Sequence, residues 1–269
     1  MRLATYQDGF GRIEGEDLIP MGPDLAGYLD TGEAREGDPV ALTSVRLLAP
    51  IPRPGKVLCV GLNYRDHAEE TGQPIPEEPI LFAKFANSVT GPGPVDVPDL
   101  VTQLDFEAEL GVVIGRRASS VSTTDALDHV GGYVCANDLS ARDLQFRSSQ
   151  WLLGKAIDGF LPTGPWLVTP EEVGDPQALG IRCTVNGEVT QDSSTSQMIF
   201  GVADLIAFIS RTITLEPGDV IATGTPPGVG MARTPPRWLR GGDEITITIE
   251  RIGALTNTVR ATARTGGGT

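Results

Sequence analysis

Apolar and polar residues alternate along much of this chain in short runs, cut by frequent glycine (33) and proline (21), which predicts many strands and few helices. KVLCVGL (56–62) and VGGYVCAND (130–138) are continuous apolar runs of buried-strand length. Each runs into polar residues. Asn63 is placed to cap a short helix through about Glu70, ended by Gly72 and Pro74, and Ser140 to cap a helix carrying Arg142 and Gln145 one turn apart. Asn186-Gly187, between alternating segments, predicts a hairpin. VADLIAFISRT (202–212) has Val202, Leu205, Ile206 and Ile209 at helical spacing. PGDVIATGTPPGVG (217–230) reads as turn, strand and glycine-rich loop, and GDEITITIERIG (242–253) as an alternating strand.

These elements describe an α+β, mostly-β chain. The prolines of LLAPIPRPGK (47–56) interrupt any ladder or helix and mark a boundary. The expected organisation is a small N-terminal domain over 1–52, a main domain over 53–262 and a flexible tail, ARTGGGT, over 263–269.

LDFEAELGVVIG (104–115) puts Leu104, Phe106, Ala108, Leu110, Val112 and Ile114 on one face of a half-buried strand. The other face carries Asp105, Glu107 and Glu109. Like charges crowded on one face need water or a cation. Glu107 and Glu109 sit about 6–7 Å apart at Cα, close enough to ligate one ion, with Asp138 as candidate third ligand. Carboxylate donors select Mg2+, Mn2+ or Ca2+ over zinc. A solvated edge strand also explains the spacing, although the apolar continuation GVVIG weakens that reading.

Charge narrows the partner. With 21 Lys+Arg against 35 Asp+Glu the net charge is -14, which disfavours nucleic acid and anionic membranes and suits a small molecule. Cys59, Cys135 and Cys183 lie in apolar runs and are expected to be reduced core residues. The N-terminus lacks an export pattern and no window reaches membrane-spanning length, so a cytoplasmic protein is expected.

His67 and Glu70 lie three apart on the expected helix, where imidazole and carboxylate can form a water-activating dyad or an ordinary exposed pair. His129, near a helix end, is read as structural. Lys84 and Lys155 are embedded among apolar residues, so each needs an anionic partner, either a neighbouring aspartate or a substrate carboxylate or enolate. GTPPGVG lacks the Gly-Lys-Ser/Thr of a phosphate-binding loop.

In order, VGLNYRDHAEE, LDFEAELGVVIG, GGYVCANDLSARDLQ, GKAIDGFLPTGPW, VNGEVTQ and LEPGDVIATGTPPGVG resemble the fumarylacetoacetate hydrolase family over roughly residues 56–260. The likeness is to the shorter bacterial branch of acylpyruvate hydrolases, oxaloacetate decarboxylases and 2-hydroxyhepta-2,4-diene-1,7-dioate isomerases, with its aromatic catabolism. It implies a mixed β-roll with a small N-terminal domain, in a homodimer. It also implies Glu107, Glu109 and Asp138 as ligands of a divalent ion, usually Mg2+, with His67 and Glu70 as the water-activating dyad and Lys155 beside the metal. Arg142, Gln145, Thr225 and Lys84 would meet a 2-oxo acid substrate. Lys84 precedes Phe85 where the family commonly has proline, and Asp105 matches no ligand, which makes it a supporting or surface group.

The implied chemistry is hydrolysis of a carbon–carbon bond in an acylpyruvate-type acid through an enolate at the metal. The same residues suit an isomerase or a decarboxylase. A non-catalytic organic-acid-binding member is the alternative of another class, and retention of His67, Glu70 and Lys155 argues against it.

Overall fold

Continuous apolar runs can be buried on both faces, and in this chain they form the middle of a sheet. In the computed structural model, which describes residues 1–262, Ala108–Ile114 lies centrally in an 11-stranded mixed sheet. It pairs antiparallel with Val130–Asn137 on one side and Val220–Ala222 on the other. Val220–Ala222 then runs parallel to Val57–Gly61. Arg2–Tyr6 joins the same sheet through Leu161–Val168, so the residues before the proline-rich stretch extend the sheet outward. The tail expected at 263–269 lies outside the described residues.

A five-stranded sheet faces the first, in the order Glu188–Ser194, Gly180–Val185, Glu244–Ile249, Gly253–Thr262 and Gly93–Pro98. Leu110, Val112 and Ile114 of the large sheet share one core with Ile181, Cys183, Ile245, Ile247 and Leu255 of the small one. The helix Val202–Ser210 adds Leu205, Ile206 and Ile209 to it, as its spacing predicts. The Asn186-Gly187 hairpin is also present, both residues having positive φ (52° and 79°), as its tight turn requires. The three cysteines are buried and free. Among the described residues no helix is long and apolar enough to cross a membrane.

Three local expectations need correction. The 104–115 stretch is interrupted: Leu104–Asp105 pairs with Ser140–Ala141, the ladder breaks at Phe106 and Glu107, and the strand resumes at Ala108. Every residue from 104 to 114 is buried. Of the face for which water or a cation is the expectation, Val113 packs with Leu3, Phe10 and Val134, Asp105 is held by Arg142 and the backbone of Gly230 and Met231, and Glu107 and Glu109 turn to the cavity. A solvated edge strand is therefore excluded. Neither polar cap forms where expected: tertiary hydrogen bonds take the Asn63 side chain, and a local bond two residues back takes that of Ser140. The helix Arg65–Thr71 starts after Tyr64 and ends at Gly72 with φ 64°, and Arg142–Gln145 starts after Ala141. Ser140 Oγ instead donates to the Asp138 carbonyl at 2.9 Å.

Asn63 is fully buried and joins three segments. Its Nδ2 donates to the carbonyls of Phe200 (3.1 Å) and Thr223 (2.7 Å), and its Oδ1 accepts from the Phe200 N–H (2.9 Å). Asn63→Ala strands these groups away from water and should lower the unfolding free energy by roughly 2–4 kcal/mol. Denaturant unfolding measures it; a loss below about 1 kcal/mol would show that Asn63 is not a structural link.

Candidate active site

The antiparallel register sets Ala108 opposite Asn137, so the ends of two neighbouring strands deliver Glu107, Glu109 and Asp138 to one place. The Asp138 N–H donates to the Glu107 carbonyl at 2.9 Å and locks the pair of strand ends. One oxygen from each of the three carboxylates lies within 4.8 Å of the others, and all three residues are buried.

Three cations compensate part of this charge. Lys155, at the end of the helix Leu152–Lys155, places Nζ 2.7 Å from Glu107 Oε2 and 2.6 Å from Asp138 Oδ2. Arg142 Nη2 lies 2.5 Å from Glu107 Oε1, while Nη1 donates to Gln145 Oε1 at 2.9 Å. Lys84 Nζ donates to the carbonyls of Leu139 (3.1 Å) and Phe160 (2.7 Å) and lies 2.5 Å from Asp138 Oδ1. That last contact is a fully buried ion pair, so both Asp138 oxygens face an ammonium, Lys84 on one and Lys155 on the other.

The two glutamates are driven apart electrostatically. Burial alone would raise Glu107, but Lys155 and Arg142 together outweigh it and hold the carboxyl well below the usual range. Glu109 has only the Gly224 N–H at 2.9 Å, and burial, then Asp138 and Glu107, push it well above that range. Burial also lowers the Lys84 ammonium despite Asp138. At Lys155 burial opposes the charge, but Asp138 and Glu107 prevail and raise it. A clustered all-oxygen set with one under-compensated carboxylate, Glu109, fits a hard divalent cation.

These groups open onto a cavity of about 420 Å³. Glu107, Glu109, Arg142, Gln145, Lys155, Thr225 and His67 line its polar side, and Val60, Leu62, Ile80, Phe82, Phe146, Trp151 and Met231 its apolar side. His67 Nδ1 is 2.9 Å from Glu70 Oε2, and Glu70 Oε1 accepts from the Gly228 N–H at 2.9 Å. Glu70 thus stands behind His67 and is not on the cavity wall. Lys84 sits behind Asp138, off the cavity lining, and the anionic partner that its buried ammonium needs is that aspartate, with two carbonyls beside it. His129 contacts Arg116 away from the site.

Sequence reasoning missed two supports. Gln191 accepts from the Ala108 N–H (2.9 Å) and donates to Thr225 Oγ1 (2.8 Å) and the Pro226 carbonyl (2.8 Å), tying the glycine-rich loop to the acidic strand. Phe82 lies beneath Lys155, its ring centroid 5.1 Å from Nζ, a cation–π contact. Neither residue has a local sequence signal.

Residues 56–260 match the family model described as fumarylacetoacetate (FAA) hydrolase, C-terminal. The chain belongs to the fumarylacetoacetate hydrolase family. Within the fumarylacetoacetate hydrolase relatives, the human mitochondrial oxaloacetate tautomerase FAHD2A is 51% identical over 220 residues, spanning 81% of this chain and 70% of that protein. Oxaloacetate tautomerase YisK of Bacillus subtilis (strain 168) is 48% identical over 224 residues, spanning 81% and 74%. The crystal structure of 2-hydroxyhepta-2,4-diene-1,7-dioate isomerase from Mycobacterium marinum superposes with a TM-score of 0.85 at 38% identity, covering 98% of this chain and all of that one. The chain is thus an enzyme-family member with an acidic site able to hold a metal ion.

Burial and its acidic neighbours make Glu109 hold a proton to higher pH than an ordinary carboxyl, and a cation bound here would compete with that proton. Mg2+ affinity should therefore rise with pH over a range above the ordinary carboxylate value of about 4.3. Calorimetry in buffers of different ionisation enthalpy should show proton release on binding. A buffer-independent enthalpy across that range contradicts a protonated Glu109.

Proposed function

We propose that this chain is a divalent-metal-dependent enzyme that moves a proton on the carbon beside the keto group of a short 2-oxo acid, as an oxaloacetate-type tautomerase or isomerase. The observation that carries this reading is the position of His67. It faces the cavity shared with the carboxylate cluster and is backed by Glu70 at 2.9 Å. Both Glu70 oxygens are engaged, one by His67 and one by Gly228, so the pair offers a single base to the cavity. The names of the tautomerase relatives agree with such proton transfer.

In this reading Glu107, Glu109 and Asp138 would hold Mg2+, with Mn2+ or Ca2+ able to use the same donors, and the ion would supply Lewis acidity to the substrate. His67 Nε2 takes the proton from the substrate carbon, and Glu70 Oε2 stabilises the imidazolium through Nδ1. Lys155 presents positive charge to the oxygen on which negative charge develops. Arg142 and Gln145 receive the substrate's carboxylate, and Thr225 offers its hydroxyl. Residues 1–52 act as an appendage extending the sheet, and residues 53–262 carry the chemistry. Exposed Phe146 on the cavity lining, with exposed Leu152 and Leu153 in the helix that follows, supports a homodimer.

Carbon–carbon hydrolysis of an acylpyruvate is the second reading, favoured by the apolar wall, which can accommodate an acyl tail. Purified protein with Mg2+ should accelerate decay of the enol absorbance of oxaloacetate and should release little pyruvate from acylpyruvates. Pyruvate release without enol-to-keto acceleration would reverse the two readings. His67→Gln should lower kcat by about 100-fold or more while leaving Mg2+ affinity unchanged. Unaltered turnover would exclude His67 as the base.

A further inference from the structure

Asp105 shares the acidic stretch with Glu107 and Glu109 but does not join their cluster. It is fully buried, and both of its oxygens are occupied. Oδ1 accepts from the N–H groups of Phe106 (2.9 Å) and Gly230 (2.7 Å). Oδ2 accepts from Arg142 Nε (2.9 Å) and the Met231 N–H (3.1 Å). Four donors leave no lone pair for a ligand. Gly230 permits this approach, since a Cβ there would lie 2.6 Å from Asp105 Oδ1 and 2.0 Å from the Arg237 carbonyl.

We propose that Asp105 is a positioning residue that divides the Arg142 guanidinium between two carboxylates and so keeps Glu107 available to a cation. Arg142 bridges Asp105 on one edge and Glu107 on the other, with Gln145 on the remaining nitrogen. Without the Asp105 charge, Glu107 becomes the sole carboxylate partner of Arg142. The guanidinium then competes undivided with any cation that Glu107, Glu109 and Asp138 would share. The same carboxylate pins residues 230 and 231, and Met231 lines the cavity, so one buried aspartate sets both the cation side and the loop side of the site. A metal-ligand role for Asp105 is excluded by its saturated oxygens.

This inference rests on the metal-site reading above, and the wild-type isotherm separates the two. Mg2+ binding is measured by calorimetry on the full chain for the wild type, Asp105→Asn, Arg142→Gln and the double variant, each checked for folding by circular dichroism. Asp105→Asn should bind Mg2+ about tenfold more weakly than wild type. In the Arg142→Gln background it should cause no further loss, because the effect passes through the guanidinium. Wild-type affinity in folded Asp105→Asn, or an equal additional loss in the Arg142→Gln background, overturns the positioning role alone. Failure of the wild type to bind Mg2+ overturns the metal reading and this role with it. Should Asp105→Asn fail to fold, Arg142→Lys decides: it retains the charge but cannot bridge both carboxylates, so it should weaken Mg2+ binding, and unchanged affinity overturns the proposal.

Discussion

Four carboxylates and three cationic side chains are buried together in this protein: Asp105, Glu107, Glu109 and Asp138 with Arg142, Lys84 and Lys155. Removing so many charges from water is costly unless each finds partners, and the sheet provides them. Adjacent antiparallel strand ends bring Glu107 and Asp138 side by side, and two short helices carry Arg142 and Lys155 across them. Lys84, from a strand at the sheet's other side, closes the set behind Asp138. The compensation is uneven. Glu107 and Asp138 each meet two cations, whereas Glu109 meets only one backbone N–H. That imbalance makes the cluster receptive to a further positive charge.

The glycine-rich loop is held to this cluster at several points. Glu70 grips Gly228, Asp105 grips Gly230 and Met231, Gln191 grips Thr225 and Pro226, and Glu109 accepts from Gly224. His67, the loop and the acidic strand therefore behave as one hydrogen-bonded unit around the cavity. Such mutual bracing would hold the groups that the proposed proton transfer needs in place before a substrate arrives.

How much of this was legible in the sequence depends on the range of each interaction. The Glu107–Glu109 spacing, the His67–Glu70 pair, the Asn186-Gly187 turn and the Val202–Ser210 helix are set by neighbours within a few residues, and all were readable. Arg142 and Asp105 lie 37 residues apart, Gln191 and Ala108 83, and Asn63 and Thr223 160, so no local pattern announces their bonds. Asn63 looks like a helix cap for the same reason: short-range propensity could not foresee that tertiary partners would claim its side chain, whereas Ser140 is taken by a competing local bond to the Asp138 carbonyl. The acidic face at 104–115 suggested water because alternation ordinarily marks a half-exposed strand. Here Arg142 and Lys155 meet Asp105 and Glu107, and charge compensation takes the place of bulk solvent.

The central claim is that the under-compensated cluster is a divalent-cation site. Crystals grown with Mn2+ and measured at a wavelength sensitive to it test this directly. The account predicts one anomalous peak bounded by carboxylate oxygens of Glu107, Glu109 and Asp138, with Asp105 still bound to Arg142. A map with no peak there, and the same carboxylates still paired with Lys155 and Lys84 at saturating Mn2+, would contradict it.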